Sequence, residues 1–369
     1  MRPVVRTDSQ QAVAEAPAPP SSVVPEPFAG VRRTTLRSAD RVGGLLLGCA
    51  IGDALGMAVE GADPKATLRA LDRLGGIRDF VAPQPNAHRS LQRLRPGCWT
   101  DETQLTMAFV QSILREGELR FEAIARAYVG AFADLEQRAW DAETRQACLR
   151  LSQGTAYTRA GTPSSSSLVA ARVGPVAAVS CARGDSRDEL LASCRELSTI
   201  THRDACSTVG AYLVALLIRD ALASSRRWEP APDRFEQLVE EARWAEAELA
   251  RTRIGESDDP LSRHLAELCD ALDAEPRELA ELSGGAVTDA RSSIPFCVAL
   301  LTGRAWDFED GVIAAIRGGG DTDTNGAIVG AVLGAAYGVK KIPRRWVDKV
   351  EESELIKESA ALFAGWLGR

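Results

Sequence analysis

Two runs of glycine constrain this chain more than any other feature. Gly44, Gly48, Gly52 and Gly56 recur every four residues, and so do Gly326, Gly330, Gly334 and Gly338. On an α-helix residues four apart lie on one face. Each run therefore makes a helix with one bare face, against which a neighbouring backbone can lie closely. Glycine costs about 1 kcal/mol relative to alanine at a helical position, so these positions need a packing reason. The expectation is two central helices that each cross something at close range. That would bring Asp53, on the first, and the Asp321 region, just before the second, into one neighbourhood.

The remaining periodic segments also read as helical. Leu105, Phe109 and Ile113 recur at a spacing of four. Helices are predicted over Phe121–Leu135 and Asp204–Leu222, and amphipathic outer ones over Phe235–Arg251 and Leu261–Leu272. Long alternating strand patterns are absent. The fold class is all-α, a single compact many-helix domain over residues 38–369. Residues 1–37 are rich in Pro, Ala and Ser, with Pro17, Pro19, Pro20, Pro25 and Pro27 close together and no periodicity. They are expected to be a disordered tail.

Of the 369 residues, 45% are hydrophobic and 26% charged, with a net charge of −7. That acidic balance argues against nucleic acid, or an anionic membrane, bound through a basic surface. The eight cysteines are scattered, with no Cys-x-x-Cys pair, so they read as reduced, mostly buried thiols. Residues 1–30 lack the apolar core of a signal peptide. The most apolar stretches, Val42–Gly52 and Gly326–Val339, are too short to span a bilayer. A soluble, cytoplasmic monomer is expected.

Chemistry is concentrated at two predicted helix starts. One reads Arg317-Gly318-Gly319-Gly320-Asp321-Thr322-Asp323-Thr324-Asn325, the other Trp99-Thr100-Asp101-Glu102-Thr103-Gln104. Each segment alone fits helix capping, since Asp and Thr make good N-caps and first-turn acids suit the helix dipole. Asp101 with Gln104 even has capping-box spacing. Two such clusters brought together would offer the oxygen ligands that hard cations such as Mg²⁺ take.

These residues resemble the signature of the ADP-ribosylglycohydrolases, the relatives of dinitrogenase reductase-activating glycohydrolase. The resemblance rests on Gly319-Gly320-Asp321-Thr322-Asp323-Thr324 followed by Ala327-Ile328-Val329-Gly330-Ala331. Upstream, in the family's order, stand Gly52-Asp53-Ala54-Leu55-Gly56 with Glu60, then Trp99-Thr100-Asp101 and Thr201-His202. It implies two Mg²⁺ ions, with Mn²⁺ able to substitute, held by Thr100, Asp101, Glu102, Asp321, Asp323 and Thr324, with Asp323 bridging. It implies Glu60 as an acid/base or metal-poising carboxylate on a mobile flap. Asp53 takes either direct catalytic or structural duty. His202 reads as pocket lining or a ligand contact, not as a metal ligand, and Ser166, Ser167, Gly319 and Gly320 are further candidate ligand contacts. The implied reaction is Mg²⁺-dependent hydrolysis of the glycosidic bond linking ADP-ribose to a protein side chain, arginine among them, or to a small molecule. A catalytically weak ADP-ribose- or nucleotide-binding relative, and a hydrolase of another ADP-ribosylated or nucleoside-type metabolite, are the alternatives.

Two departures stand out. The family's Thr-Asp-Asp has Glu102 in its last place here, so this residue could ligate, ligate through water or leave the site. The stretch Ser164–Arg172 lacks the family's Gly-Asn-Gly and Met-Arg elements. It reads either as a flexible serine loop or as a phosphate contact, with Arg172 supplying charge from another position. Free ADP-ribose is accordingly expected to bind more weakly here than to relatives with the usual loop.

Overall fold

A computed structural model describes residues 39–61, 63–134, 136–224, 228–229, 232–252 and 258–369. The predicted tail, 1–37, lies outside the described residues. Among the described residues there are eighteen α-helices and no strand, with one isolated bridge between Thr162 and His202. The fold is all-α.

The glycine runs do what their spacing requires. Helices Ala39–Gly56 and Thr322–Tyr337 cross antiparallel, backbone on backbone. A Cβ added to Gly44 would stand 2.1 Å from the Gly334 carbonyl oxygen, one on Gly48 2.1 Å from that of Gly330, and one on Gly52 1.9 Å from that of Gly326. At Gly56 the same stripe meets Thr322, whose carbonyl oxygen would be 2.1 Å away. Both helices are buried on all sides over most of their length. The crossing therefore forms the centre of the core, and its register fixes the Gly56 end beside the start of the second helix.

The other predicted helices are found, with shifts at their ends. Phe121–Asp134 and Pro232–Arg251 match closely. Helix Ala205–Ala223 starts after Asp204, whose carboxylate accepts from the Cys206 and Ser207 N–H groups. Its length and composition would suit a membrane span. Here it is a buried core helix, packed on Thr322–Tyr337 and on Gly174–Arg183. The helix expected over Leu261–Leu272 stops at Ala266. Beyond it the chain closes tight turns, as in Cys269 N–H to the Ala266 oxygen and Ala271 N–H to the Leu268 oxygen. Asp270 and Asp273 in that stretch favour turns over helix interior. Seven of the eight cysteines are buried and all are free thiols.

Candidate metal and active site

The Asp321 cluster is set by its glycines. Gly319 and Gly320 have φ of 79° and 69°, left-handed values that glycine alone adopts freely. A Cβ on Gly320 would also lie 2.3 Å from the carbonyl oxygens of Gly285 and Ala286. The tight turn lets the Asp321 N–H reach the Ala286 oxygen at 2.9 Å, and Asn325 Nδ2 reaches the same oxygen at 2.8 Å. Gly319 and Gly320 thus have a backbone duty at the place where ligand contact was expected. Thr322 Oγ1 donates to the Gly56 oxygen at 2.9 Å, tying the cluster to the end of the first striped helix. Glu60 follows on the loop leaving that helix. Its N–H bonds the Gly56 oxygen at 3.2 Å, and its Oε2 is buried with no hydrogen-bond partner.

Asp53 sets the other cluster. It is fully buried, and both its oxygens are occupied. Thr100 N–H and Oγ1 reach Oδ1 at 2.9 and 2.6 Å; Thr103 N–H and Oγ1 reach Oδ2 at 3.1 and 2.6 Å. Of the two duties open to it, the geometry supports the structural one: Asp53 clamps the start of helix Asp101–Glu116. Helix capping does not account for the acids. Thr100 and Asp321 are the N-cap residues of their helices, and neither makes a side-chain cap bond. The Gln104 side chain is engaged elsewhere, with the Glu136 oxygen and the Trp140 indole.

Glu102 joins the two halves. Thr324 Oγ1 donates to its Oε1 at 2.7 Å, and Thr100 Oγ1 lies 2.8 Å from its Oε2. The longer side chain stays in the site and spans it. Thr100 has one hydroxyl hydrogen for two acceptors, Asp53 and Glu102, so a proton on Glu102 completes the set.

Such a proton is expected on physical grounds. Burial first, then the charges of Asp53 and Asp321, push the Glu102 carboxyl up to about 8. Burial, Asp321 and Asp53 do the same for Glu60, also to about 8. Burial raises Asp53 to about 6 against the opposing effect of its threonine bonds. Asp101 and Asp323 lie well above the usual carboxylate range, through burial and then neighbouring carboxylates, and burial raises Asp321. Acids raised in the fold stabilise it most below their unfolded values near 4–4.5 and lose that contribution as pH rises through about 8. The EDTA-treated protein should therefore melt several degrees lower at pH 8.5 than at pH 5.5, and excess Mg²⁺ should flatten the difference. A pH-independent melting temperature in EDTA would contradict the crowding of these carboxyls.

Three buried carboxylate oxygens here, Glu60 Oε2, Asp101 Oδ2 and Asp321 Oδ2, have no protein partner. Burying carboxyl oxygens without partners is costly whether they are charged or protonated. With the Thr100 and Thr324 hydroxyls they are oxygen donors of the kind a hard divalent cation takes. Among the described residues, however, three carboxylate or imidazole ligand atoms lie within 4.8 Å of one another only at Asp141, Glu143 and His202, so the two helix starts would have to draw closer around an ion.

His202 lies apart from these ligands. It is fully buried, with Nδ1 3.0 Å from Thr201 Oγ1 and Nε2 2.8 Å from Asp141 Oδ2. Burial would raise Asp141, but the His202 bond and charge lower it to about 2. Asp141, Glu143 and His202 offer ligand atoms within 4.8 Å of one another, although both His202 nitrogens already have partners. The Asp141 charge is felt at Asp101, so this group borders the site. Sequence reasoning missed Asp141; an Asp preceding the Ala142–Ser152 helix looks like an ordinary cap, which it also is.

The serine stretch is hydrogen-bonded into the fold. Ser165 Oγ donates to Asp289, Ser166 N–H to Ser207 Oγ, and Ser167 donates twice to the Thr288 oxygen. Ser166 and Ser167 are buried; the Ser167 hydroxyl donates to the fold, and Ser166 Oγ accepts from the Leu168 N–H at 3.3 Å. Arg172 is fully buried too, bonded to Thr201 Oγ1 with its guanidinium 5.4 Å from the Tyr128 ring centroid. Its Nε and Nη1 are buried without a partner.

The sequence matches the ADP-ribosylglycohydrolase family over residues 33–368. The chain belongs to that family, which points to ADP-ribosyl glycohydrolase chemistry and to dependence on a metal. It is 25% identical to the ADP-ribosyl-[dinitrogen reductase] glycohydrolase of Rhodospirillum rubrum, over 88% of this chain and 96% of that one. It is 24% identical to the ADP-ribosylarginine hydrolase Tri1 of Serratia proteamaculans, over 88% and 78%. An ADP-ribosylglycohydrolase-related protein complex shares the fold, with a TM-score of 0.63 and 24% identity over 89% of this chain and 98% of that one.

Proposed function

We propose that this chain hydrolyses the glycosidic bond joining ADP-ribose to a modified side chain, arginine being the first candidate, with Mg²⁺ held between its two helix starts. The observation that carries this reading is the set of partnerless carboxylate oxygens of Glu60, Asp101 and Asp321. Thr100, Asp101, Glu102, Asp321, Asp323 and Thr324 would hold the ions. Bound there, Mg²⁺ would orient a ribose diol and stabilise developing negative charge. Glu60 stands at the edge of the acidic group on a less regular segment, with a carboxyl pushed up to about 8. It can hold or accept a proton near neutrality, as hydrolysis at an anomeric carbon requires. The Asp53 clamp keeps Thr100 and Asp101 in register with the opposite cluster.

The direct test is release of ADP-ribose from ADP-ribosylarginine with Mg²⁺ and with EDTA. Mg²⁺-dependent release supports the reading. Tight ADP-ribose binding without turnover of any ADP-ribosyl compound would favour a binding relative instead. The Ser165 and Ser167 hydroxyls, engaged with Asp289 and Thr288, support weaker ADP-ribose binding than in relatives with the usual loop.

Glu102 gives a separate prediction. It occupies two threonine hydroxyls that a cation would need, and Asp53 fixes the backbone from which it reaches. Glu102→Asp is one methylene too short to hold Thr324 as well. It should bind Mg²⁺ a few-fold more tightly in calorimetric titration. Clearly weaker binding would show that the site is built around glutamate.

A further inference from the structure

The residue preceding the first helix start is held by a segment from the far end of the chain. Trp99 Nε1 donates to the Glu351 carbonyl oxygen at 3.0 Å, and the Glu351 N–H donates to the Gly97 oxygen at 2.9 Å. The Glu351 carboxylate takes Arg138 in a two-pronged pair, at 2.5 Å from Nη1 and 3.2 Å from Nη2. Cys98 Sγ reaches the same carboxylate at 3.6 Å. Arg138 in turn donates to the Trp99 carbonyl oxygen at 3.2 Å, and its guanidinium lies 5.2 Å from the Trp99 ring centroid. One glutamate thus contacts three successive residues before Thr100 and the arginine that covers one of them.

Backbone strain marks the same place. Among the described residues three non-glycine residues have positive φ: Ala139 at 58°, Ala286 at 51° and Glu352 at 53°. Ala139 adjoins Arg138, and Glu352 adjoins Glu351. Ala286 backs the opposite half, accepting from the Asp321 N–H. L-residues hold this conformation at a cost, and it persists where the surroundings over-determine it, often at functional sites.

We propose that Glu351 is a positioning residue for the Trp99–Glu102 half of the site, acting through Trp99 and Arg138. Asp53 fixes Thr100 and Thr103 from inside the fold. Glu351 and Arg138 fix Trp99 from outside. Between the two clamps, the Thr100 hydroxyl and Asp101 Oδ2 are held at one position relative to Asp321 and Thr324. A two-pronged arginine–carboxylate pair fixes direction as well as distance. The side chains of the pair are only 18% and 20% exposed, so solvent competes weakly for them. This inference rests on the reading of the site as a cation site.

The test is Mn²⁺ titration of the full chain, followed by electron paramagnetic resonance, beside melting curves in EDTA. Wild type is compared with Glu351→Gln, Glu351→Asp and Arg138→Met, and with Asp348→Asn as a control on the same segment. Partners that orient metal ligands typically change affinity 10–100-fold when lost. Glu351→Gln and Arg138→Met should weaken Mn²⁺ binding about tenfold or more. Glu351→Asp, which keeps the charge, should weaken it less, and Asp348→Asn not at all. Mn²⁺ affinity unchanged in Glu351→Gln and Arg138→Met, even with lower melting temperatures, would reduce the clamp to a purely structural role and overturn the inference. Wild type that fails to bind Mn²⁺ would instead sink the cation reading itself.

Discussion

Replacing Asp323 with alanine should abolish Mg²⁺-dependent hydrolysis and leave the protein folded. Asp323 sits in the first turn of the second striped helix, buried, with its carboxyl raised by burial and by the charges of Glu60, Glu102 and Asp321. Its Oδ1 accepts the Thr324 N–H at 2.9 Å, and the substitution removes no large apolar group. Losing a ligand that stabilises developing charge should lower kcat/KM by roughly a thousandfold, about 4 kcal/mol of transition-state stabilisation. In EDTA the variant should melt no lower than wild type, because one of several mutually repelling acids is gone. Steady-state kinetics and melting curves check both halves. Near-normal turnover of an ADP-ribosyl substrate would remove Asp323 from the metal site.

The second large effect belongs to the fold. Gly52→Ala should destabilise the protein by more than about 3 kcal/mol, at the upper end for overpacked cores. The new Cβ would stand 1.9 Å from the Gly326 oxygen and 2.3 Å from the Gly326 carbonyl carbon. Neither atom belongs to a side chain that can swing away, so the two helices must separate. Gly130→Ala is the control. Gly130 is also helical, but a Cβ there meets nothing within 4 Å, so that change should stabilise by up to about 1 kcal/mol. Urea unfolding measures both. A Gly52→Ala protein as stable as wild type would mean that the helix crossing is looser than described.

The contrast between these glycines shows what was legible in the sequence. A backbone-to-backbone crossing needs a missing Cβ at every turn, so it leaves a four-residue stripe that can be read directly. The two acidic helix starts were legible for the same reason: their ligand types are consecutive in the chain. Contacts set by tertiary placement were not. Whether Asp53 acts on substrate or clamps Thr100 depends on where two distant helices meet. The reach of Glu102 to Thr324 depends on the distance between the half-sites, which no local pattern encodes. Arg172 and the serine stretch carry polar atoms that suggest a ligand, yet their partners are Thr201, Ser207, Thr288 and Asp289, all remote in sequence. Asp141 and Glu351 belong to no motif. The over-long helix at Leu261 was a failure of another kind, where apolar spacing continued past residues that prefer turns.

The two helix starts should together form one metal site. Anomalous diffraction from a crystal soaked in Mn²⁺ tests it most directly. Two Mn²⁺ peaks are expected between Thr100–Asp101–Glu102 on one side and Asp321–Asp323–Thr324 on the other. A single peak, or ions found only beside Asp141, Glu143 and His202, would contradict it.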